Sequence, residues 1–170
     1  MPDPVRVALA GNPNAGKSTI FNALTGGNQH VGNWPGKTVE VKEGQFTLAG
    51  RAFSIIDLPG TYSLSAYSAE EVITRDYLLQ ARPEVVVAVV DAANLERNLY
   101  LVVQLIELGA PVIVALNMAD IAAGRGLSIR AGALADRLGV PVVTTTATQG
   151  RGLDDLKAAI LDKVTCPSPN

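Results

Sequence analysis

The residues with the plainest chemical purpose are Gly11-Asn12-Pro13-Asn14-Ala15-Gly16-Lys17-Ser18, which fit the pattern G-x-x-x-x-G-K-[ST]. Glycines at those two places let the backbone bend until successive N–H groups point inward and cradle phosphate oxygens. The start of the helix that follows adds partial positive charge. Lys17 can reach the β- and γ-phosphates of a nucleoside triphosphate, and the Ser18 hydroxyl, beside Thr19, can ligate Mg²⁺. Asp57-Leu58-Pro59-Gly60 stands 40 residues after Lys17. An acidic residue at a strand end can hold Mg²⁺ through a water, and the Gly60 N–H can meet a γ-phosphate oxygen. D-x-x-G is weak evidence alone; the loop upstream gives it meaning.

Asn117-Met118-Ala119-Asp120 is where a base would be chosen. An ionised carboxylate offers only acceptors. Guanine presents N1–H and a 2-amino group side by side, and Asp120 can accept from both. Adenine lacks the 2-amino group and its N1 carries no proton, so the carboxylate would face a lone pair. Sites built on such bonds reject analogues that leave buried groups unpaired. Asn117 is expected to brace the loop and touch the base. In Thr146-Ala147-Thr148, after the last strand, the Ala147 N–H is expected to meet the guanine carbonyl, a weak signal by itself. Thr38 is the single hydroxyl residue between the first helix and Gln45. It follows a glycine- and asparagine-rich loop, Gly26–Gly36, and Lys37. That is the place of a switch threonine, which ligates Mg²⁺ while the γ-phosphate is present and lets go after hydrolysis. The expected ligands are GTP and GDP, with Mg²⁺ held by Ser18, Thr38 and, through water, Asp57.

These groups need a rigid frame. Short β-branched runs at Val5–Ala10, Phe53–Ile56, Val85–Val90, Val112–Leu116 and Val140–Val143 suit strands buried on both faces of a parallel sheet. Between them lie helical patterns. Ser18–Leu24 forms the first. Ser68-Ala-Glu-Glu71 is a capping box opening a helix that stops before Pro83. Leu95, Leu99, Val102, Val103 and Ile106 keep helical spacing up to Gly109 and Pro111, and Leu134 and Leu138 do so up to Gly139 and Pro141. Leu153, Leu156, Ile160 and Val164 mark the last helix. Val39 and Val41 alternate with polar residues, then Phe46 and Leu48 do so in the opposite phase, which a bulge near Gly44 would explain. Ala49-Gly50 turns the chain into an antiparallel hairpin. The expected fold is α/β, with a mostly parallel sheet of six to seven strands, one antiparallel strand and helices on both faces.

Composition agrees. The chain has 170 residues, of which 48% are apolar, enough for one ordinary domain. Residues 1–165 read as that domain and 166–170 as a tail or linker. A net charge of −2 gives no support for nucleic-acid binding, and the lone Cys166 cannot form an internal disulfide. No basic leader and no apolar run of spanning length stand out, so a cytoplasmic setting is expected.

With those residues in place, the sequence resembles the GTPase domain of FeoB, the bacterial ferrous iron transporter, within the Ras-like P-loop NTPases. The likeness covers roughly residues 4–164 and is most specific at 31–40 (VGNWPGKTVE), 57–64 (DLPGTYSL) and 90–101 (VDAANLERNLYL). Methionine at 118 also resembles FeoB, where other GTPases carry lysine. The resemblance implies a GTP switch controlling Fe²⁺ uptake at the cytoplasmic face of the bacterial inner membrane. It further implies a helical regulatory domain and membrane helices as partners, neither of which this sequence contains. Thr61 stands after Gly60, where Ras-like proteins place the glutamine that orients water, so intrinsic turnover is expected to be slow. No arginine finger is evident in the switch loops. Asn14 matches the asparagine that in FeoB-like GTPases binds K⁺, which would offset transition-state charge. The catalytic set is then Asn14, Lys17, Thr38, Gly60 and Thr61.

Trp34 is expected to report nucleotide state, touch a partner or stand in solvent, and His30 to be a surface residue. Arg97 and Asn98 are expected to serve a helix start. The glycine-containing loops would permit exchange of elements between copies. Two other readings stand beside the slow GTPase: a nucleotide sensor with negligible hydrolysis, and a ribosome- or tRNA-associated GTPase, which the absence of a basic appendage disfavours.

Overall fold

The computed structural model describes residues 3–166. Seven strands form one sheet: β1 (Val5–Gly11), β2 (Gln29–Asn33), β3 (Glu40–Leu48), β4 (Arg51–Asp57), β5 (Val85–Asp91), β6 (Val112–Asn117) and β7 (Val142–Thr144). Their spatial order is β2-β3-β4-β1-β5-β6-β7. Pairing is parallel from β4 through β7, and β3 is antiparallel to both neighbours, so it alone runs against the rest. The helices are α1 (Lys17–Thr25), α2 (Ala69–Ala81), α3 (Leu95–Glu107), α4 (Ala119–Gly124), α5 (Ala131–Leu138) and α6 (Leu153–Thr165).

The β-branched runs do what their apolarity requires. Every residue from Val85 to Val90 is buried, as are Val112–Leu116. Alternate residues feed two cores. Val5, Val7 and Leu9 pack with Ile20, Phe21 and Leu24 of α1 and with Leu156 and Ile160 of α6. Ala8, Ala10, Val86 and Ala88 pack with Leu78 of α2 and with Leu101, Val102 and Leu105 of α3. Full burial of a side chain such as Phe21 or Leu105 stabilises the fold by about 1.5–3 kcal/mol. Ser68 caps α2, its hydroxyl accepting from the Glu71 N–H at 3.2 Å, while Glu71 Oε2 accepts from the N–H of Tyr67, one residue before the cap, instead of closing the full capping box on Ser68.

Four expectations change. The loop Gly26–Gly36 contains a strand, β2, at the sheet edge. Its side chains are mostly exposed, so it lacks apolar alternation and is held by backbone pairing to β3. There is no bulge at Gly44, since β3 keeps one register with β4 from Lys42↔Asp57 to Leu48↔Arg51. The phase change arises because Val41 packs on one core and Phe46 and Leu48 on the other. Gly44 is there for space: an added Cβ would lie 2.5 Å from Thr25 Cγ2 and 2.9 Å from the Asn28 carbonyl. The last strand starts at Val142 instead of Val140, and a short helix, α4, follows the Asn117 loop. Of the expected tail, Cys166 is exposed and 167–170 lie outside the described residues. Among the described residues no helix is long and apolar enough to cross a membrane, and no group of His, Cys, Asp and Glu could hold a metal on its own.

Candidate nucleotide-binding site

The phosphate loop joins β1 to α1 at the carboxyl end of the parallel strands, where open α/β sheets bind ligands. Gly16 caps α1 with φ +101°, a left-handed conformation that favours glycine. An added Cβ there would also overlap Asn117 Nδ2. Ser18 is exposed at the helix start and Thr19 is half-buried. Asn14 is exposed, has φ +68°, and makes no side-chain hydrogen bond to a described residue. Asparagine tolerates that region better than most residues.

Lys17 Nζ lies 3.4 Å from Asp57 Oδ1, and the two side chains are only 11% and 9% exposed. Asp57 ends β4 directly beside β1, paired with Leu9. Burial pushes its carboxyl above the ordinary aspartate value, and the Lys17 ammonium pulls it partly back. Asp57 Oδ1 has no aligned hydrogen-bond partner, so the contact is an ion pair alone. A buried carboxylate and the Ser18 hydroxyl at the start of α1 are oxygen donors of the kind that suit Mg²⁺.

The segment after Asp57 folds under the phosphate loop. The Leu58 N–H donates to Leu9 O, and the Thr61 N–H to Gly11 O at 3.1 Å. Pro59 is half-buried. Gly60 sits so close that an added Cβ would lie 3.0 Å from Pro13 Cα. Thr61 is buried and its hydroxyl has no partner; both polar atoms of the Asn12 carboxamide are likewise buried and unpaired.

Asn117 ties three segments together. Its Nδ2 donates to Ala15 O at 3.1 Å, and its Oδ1 accepts from the Thr145 hydroxyl at 2.9 Å and from the Ala147 N–H at 3.1 Å. It therefore braces the site as expected. The Ala147 N–H, expected to face a base carbonyl, is instead turned to Asn117. The Thr146 N–H is bonded to Arg151 O, and Thr148 is exposed. Met118, at φ +59°, carries its methyl to the phosphate loop, 3.8 Å from where a Gly16 Cβ would be. Asp120 is exposed in the first turn of α4, and its Oδ2 accepts from Gln149 Nε2 at 3.5 Å.

Thr38 makes no side-chain hydrogen bond to the other site residues, and it is exposed in the loop before β3. Trp34-Pro35-Gly36-Lys37 forms a tight turn closed by Lys37 N–H to Trp34 O, with Gly36 at φ +72°. Trp34 is not solvated: its ring meets Tyr77 of α2 edge-on at 5.9 Å. His30 is exposed on β2, and Asn98 is buried, accepting from Asp91 N–H and donating to Asn94 O near the helix start. Thr145 escaped sequence reasoning. Three consecutive threonines stand at 144–146, and spacing alone does not say which hydroxyl turns inward.

A phosphate loop at the switch of a parallel sheet, a strand-end aspartate beside its lysine and an asparagine-braced base loop define a G domain of the P-loop class. A family model described as Ferrous iron transport protein B matches residues 5–160. The chain is 52% identical over 158 residues to the Fe(2+) transporter FeoB of Escherichia coli (strain K12), covering 91% of this chain and 20% of that protein. It thus spans about a fifth of the length of the curated relatives it matches. Among solved structures it resembles the FeoB G-domain from Methanococcus jannaschii, with TM-score 0.86, 46% identity, and coverage of 96% of this chain and 99% of that one. It also resembles the cytosolic domain of T. maritima FeoB in GMPPNP form, with TM-score 0.92, 47% identity, and coverage of 96% and 65%. The chain belongs to the FeoB family and is its GTPase domain.

Proposed function

We propose that residues 1–165 form a switch that binds GTP and GDP with Mg²⁺, hydrolyses GTP slowly, and regulates Fe²⁺ uptake through a FeoB-type membrane domain, with 166–170 leading out of it. The observation that carries this reading is the buried Lys17–Asp57 pair against the phosphate loop. Lys17 is poised to exchange one anionic partner for another. When a triphosphate enters, its ammonium turns to the β- and γ-oxygens and frees Asp57. Ser18, Thr38 and Asp57 would hold Mg²⁺, which supplies charge neutralisation at those oxygens. Gly60 offers its N–H to the γ-phosphate. Asp120 reads the guanine edge, and Asn117 holds the two loops in register. By that family's pattern the domain works at the cytoplasmic face of the bacterial inner membrane, next to a helical regulatory domain.

Slow turnover follows from Thr61, whose side chain is buried beneath the phosphate loop and cannot reach a solvent water in this arrangement. Titration of GTP, GDP and ATP in Mg²⁺ tests the binding claim: guanine nucleotides should bind at least 100-fold tighter than ATP, on the scale of rejection by paired hydrogen-bond sites. Equal affinity for ATP ends it. Single-turnover hydrolysis with excess domain separates a slow enzyme from a pure sensor.

Asn14 is free to face a cation, since its side chain is exposed and otherwise unbonded. K⁺ held there would add positive charge beside the phosphates. GTP hydrolysis should therefore be faster in K⁺ than in Na⁺ at equal ionic strength, and Asn14→Ala should abolish the difference. Equal wild-type rates in the two salts refute the assignment.

Thr38 must travel to reach the metal, and Trp34 lies in the same loop. Trp34 is the chain's one tryptophan and rests on Tyr77. Its emission should shift to longer wavelength and lose intensity with Mg²⁺ and GMPPNP relative to GDP. Identical spectra in the two states mean that this loop does not lift.

A further inference from the structure

Two side chains of α3 reach the segment that follows Gly60. The Arg97 guanidinium carbon lies 4.4 Å from the centroid of the Tyr62 ring, within cation–π range. Gln104 Oε1 accepts from the Leu64 N–H at 2.7 Å, a short and partly buried bond. Arg97 and Gln104 are seven residues apart, just under two helical turns, so they share one face of α3. The other end of the same segment is fixed to the phosphate loop by the Thr61 N–H on Gly11 O and by Gly60 against Pro13. From Thr61 to Leu64 the chain can span at most about 10 Å. With both ends tied over so short a length, the seats of Tyr62 and Leu64 on α3 set where Gly60 and Thr61 stand.

We infer that Arg97 and Gln104 are positioning residues for the hydrolytic step: by holding Tyr62 and Leu64 on α3 they place Gly60 and Thr61 against the γ-phosphate. Neither touches the nucleotide. This rests on the reading of the domain as a GTPase, and it assigns α3 a share in the chemistry. The helix then senses the third phosphate and leaves the diphosphate grip alone.

The test compares wild type with Arg97→Ala, Arg97→Lys, Gln104→Ala and Gln104→Glu in two readouts, single-turnover GTP hydrolysis and the ratio of GMPPNP to GDP affinity. Lysine keeps a cation over the ring, and glutamate keeps the acceptor oxygen. Each alanine variant should lower both readouts about fivefold, the scale of one cation–π contact or hydrogen bond, with GDP affinity within twofold of wild type. The lysine and glutamate variants should stay near wild type. Arg97 is exposed, so Arg97→Ala should melt at the wild-type temperature. Unchanged rate and ratio in both alanine variants overturn the inference, and so does a parallel loss of GDP affinity, which would mean a general structural role. A wild type that binds no GDP defeats the GTPase reading itself, and this assignment with it. If wild type binds but turns over immeasurably slowly, the affinity ratio alone decides.

Discussion

Asp120→Asn should turn a guanine site into a xanthine site. Xanthine keeps N1–H and replaces the 2-amino group of guanine with a carbonyl. The asparagine Oδ1 still accepts from N1–H, while its Nδ2 now donates to that carbonyl. Facing guanine, the same Nδ2 meets a donor. A hydrogen bond to a charged group contributes about 1.5–3 kcal/mol, so losing the carboxylate pair should weaken GDP binding by about 10²- to 10³-fold. Affinity for the xanthine diphosphate should rise by a similar factor. Competition binding in Mg²⁺ measures both. Stability should not change, because Asp120 is exposed and accepts from Gln149 at a long 3.5 Å. A variant that binds GDP as tightly as wild type would remove Asp120 from base recognition.

Asn117→Ala should be the most damaging single change. It strips a partner from Ala15 O, the Thr145 hydroxyl and the Ala147 N–H together, at a place where the residue is only 3% exposed. Each orphaned buried group costs about 1–3 kcal/mol, so a total of about 3–9 kcal/mol is expected against a typical domain stability of about 5–15 kcal/mol. Urea unfolding without nucleotide reads this directly. Binding should fail as well, since the phosphate loop and the base loop lose their common tie. Gly16→Ala should reproduce the binding defect from the other side: its Cβ would displace the same carboxamide, and φ is +101°. An Asn117→Ala protein that unfolds within about 0.5 kcal/mol of wild type, the range of a neutral surface change, would contradict this account.

The parts of the site that were legible in the sequence are those whose chemistry is local. Gly16, Lys17 and Ser18 are consecutive because one turn of backbone must bend, reach and start a helix. Asp57 and Asn117 end strands whose β-branched runs announce them. The central strands were equally plain, since burial on both faces demands continuous apolar residues. What stayed hidden depends on distant partners. β2 is an edge strand with polar faces, held by backbone bonds that any residue can make. Gly44 suggests a bulge in the sequence because its true reason, the approach of Thr25 and Asn28, lies elsewhere in the chain. The bond of Gln104 to Leu64 joins residues 40 apart, and nothing in the spacing foretells it. Thr38 stands out in the sequence by elimination, but the packing of the neighbouring Trp34 on Tyr77, a residue of α2, has no sequence signal.

The contact at Gly44 bounds how far the molecule can signal. α1 begins at Lys17, the residue proposed to grip the phosphates, and its far end is wedged against the middle of β3, with Phe21 and Thr25 leaving no room for a side chain. The arms of the β2–β3 hairpin are thus fastened to the same rod that holds the nucleotide. The crown between Asn33 and Glu40 lies beyond the paired strands. Six residues stretch to about 20 Å end to end, so a loop fixed at both ends lifts its tip by no more than about 10 Å. A partner that reads this crown must stand within that radius of Thr38.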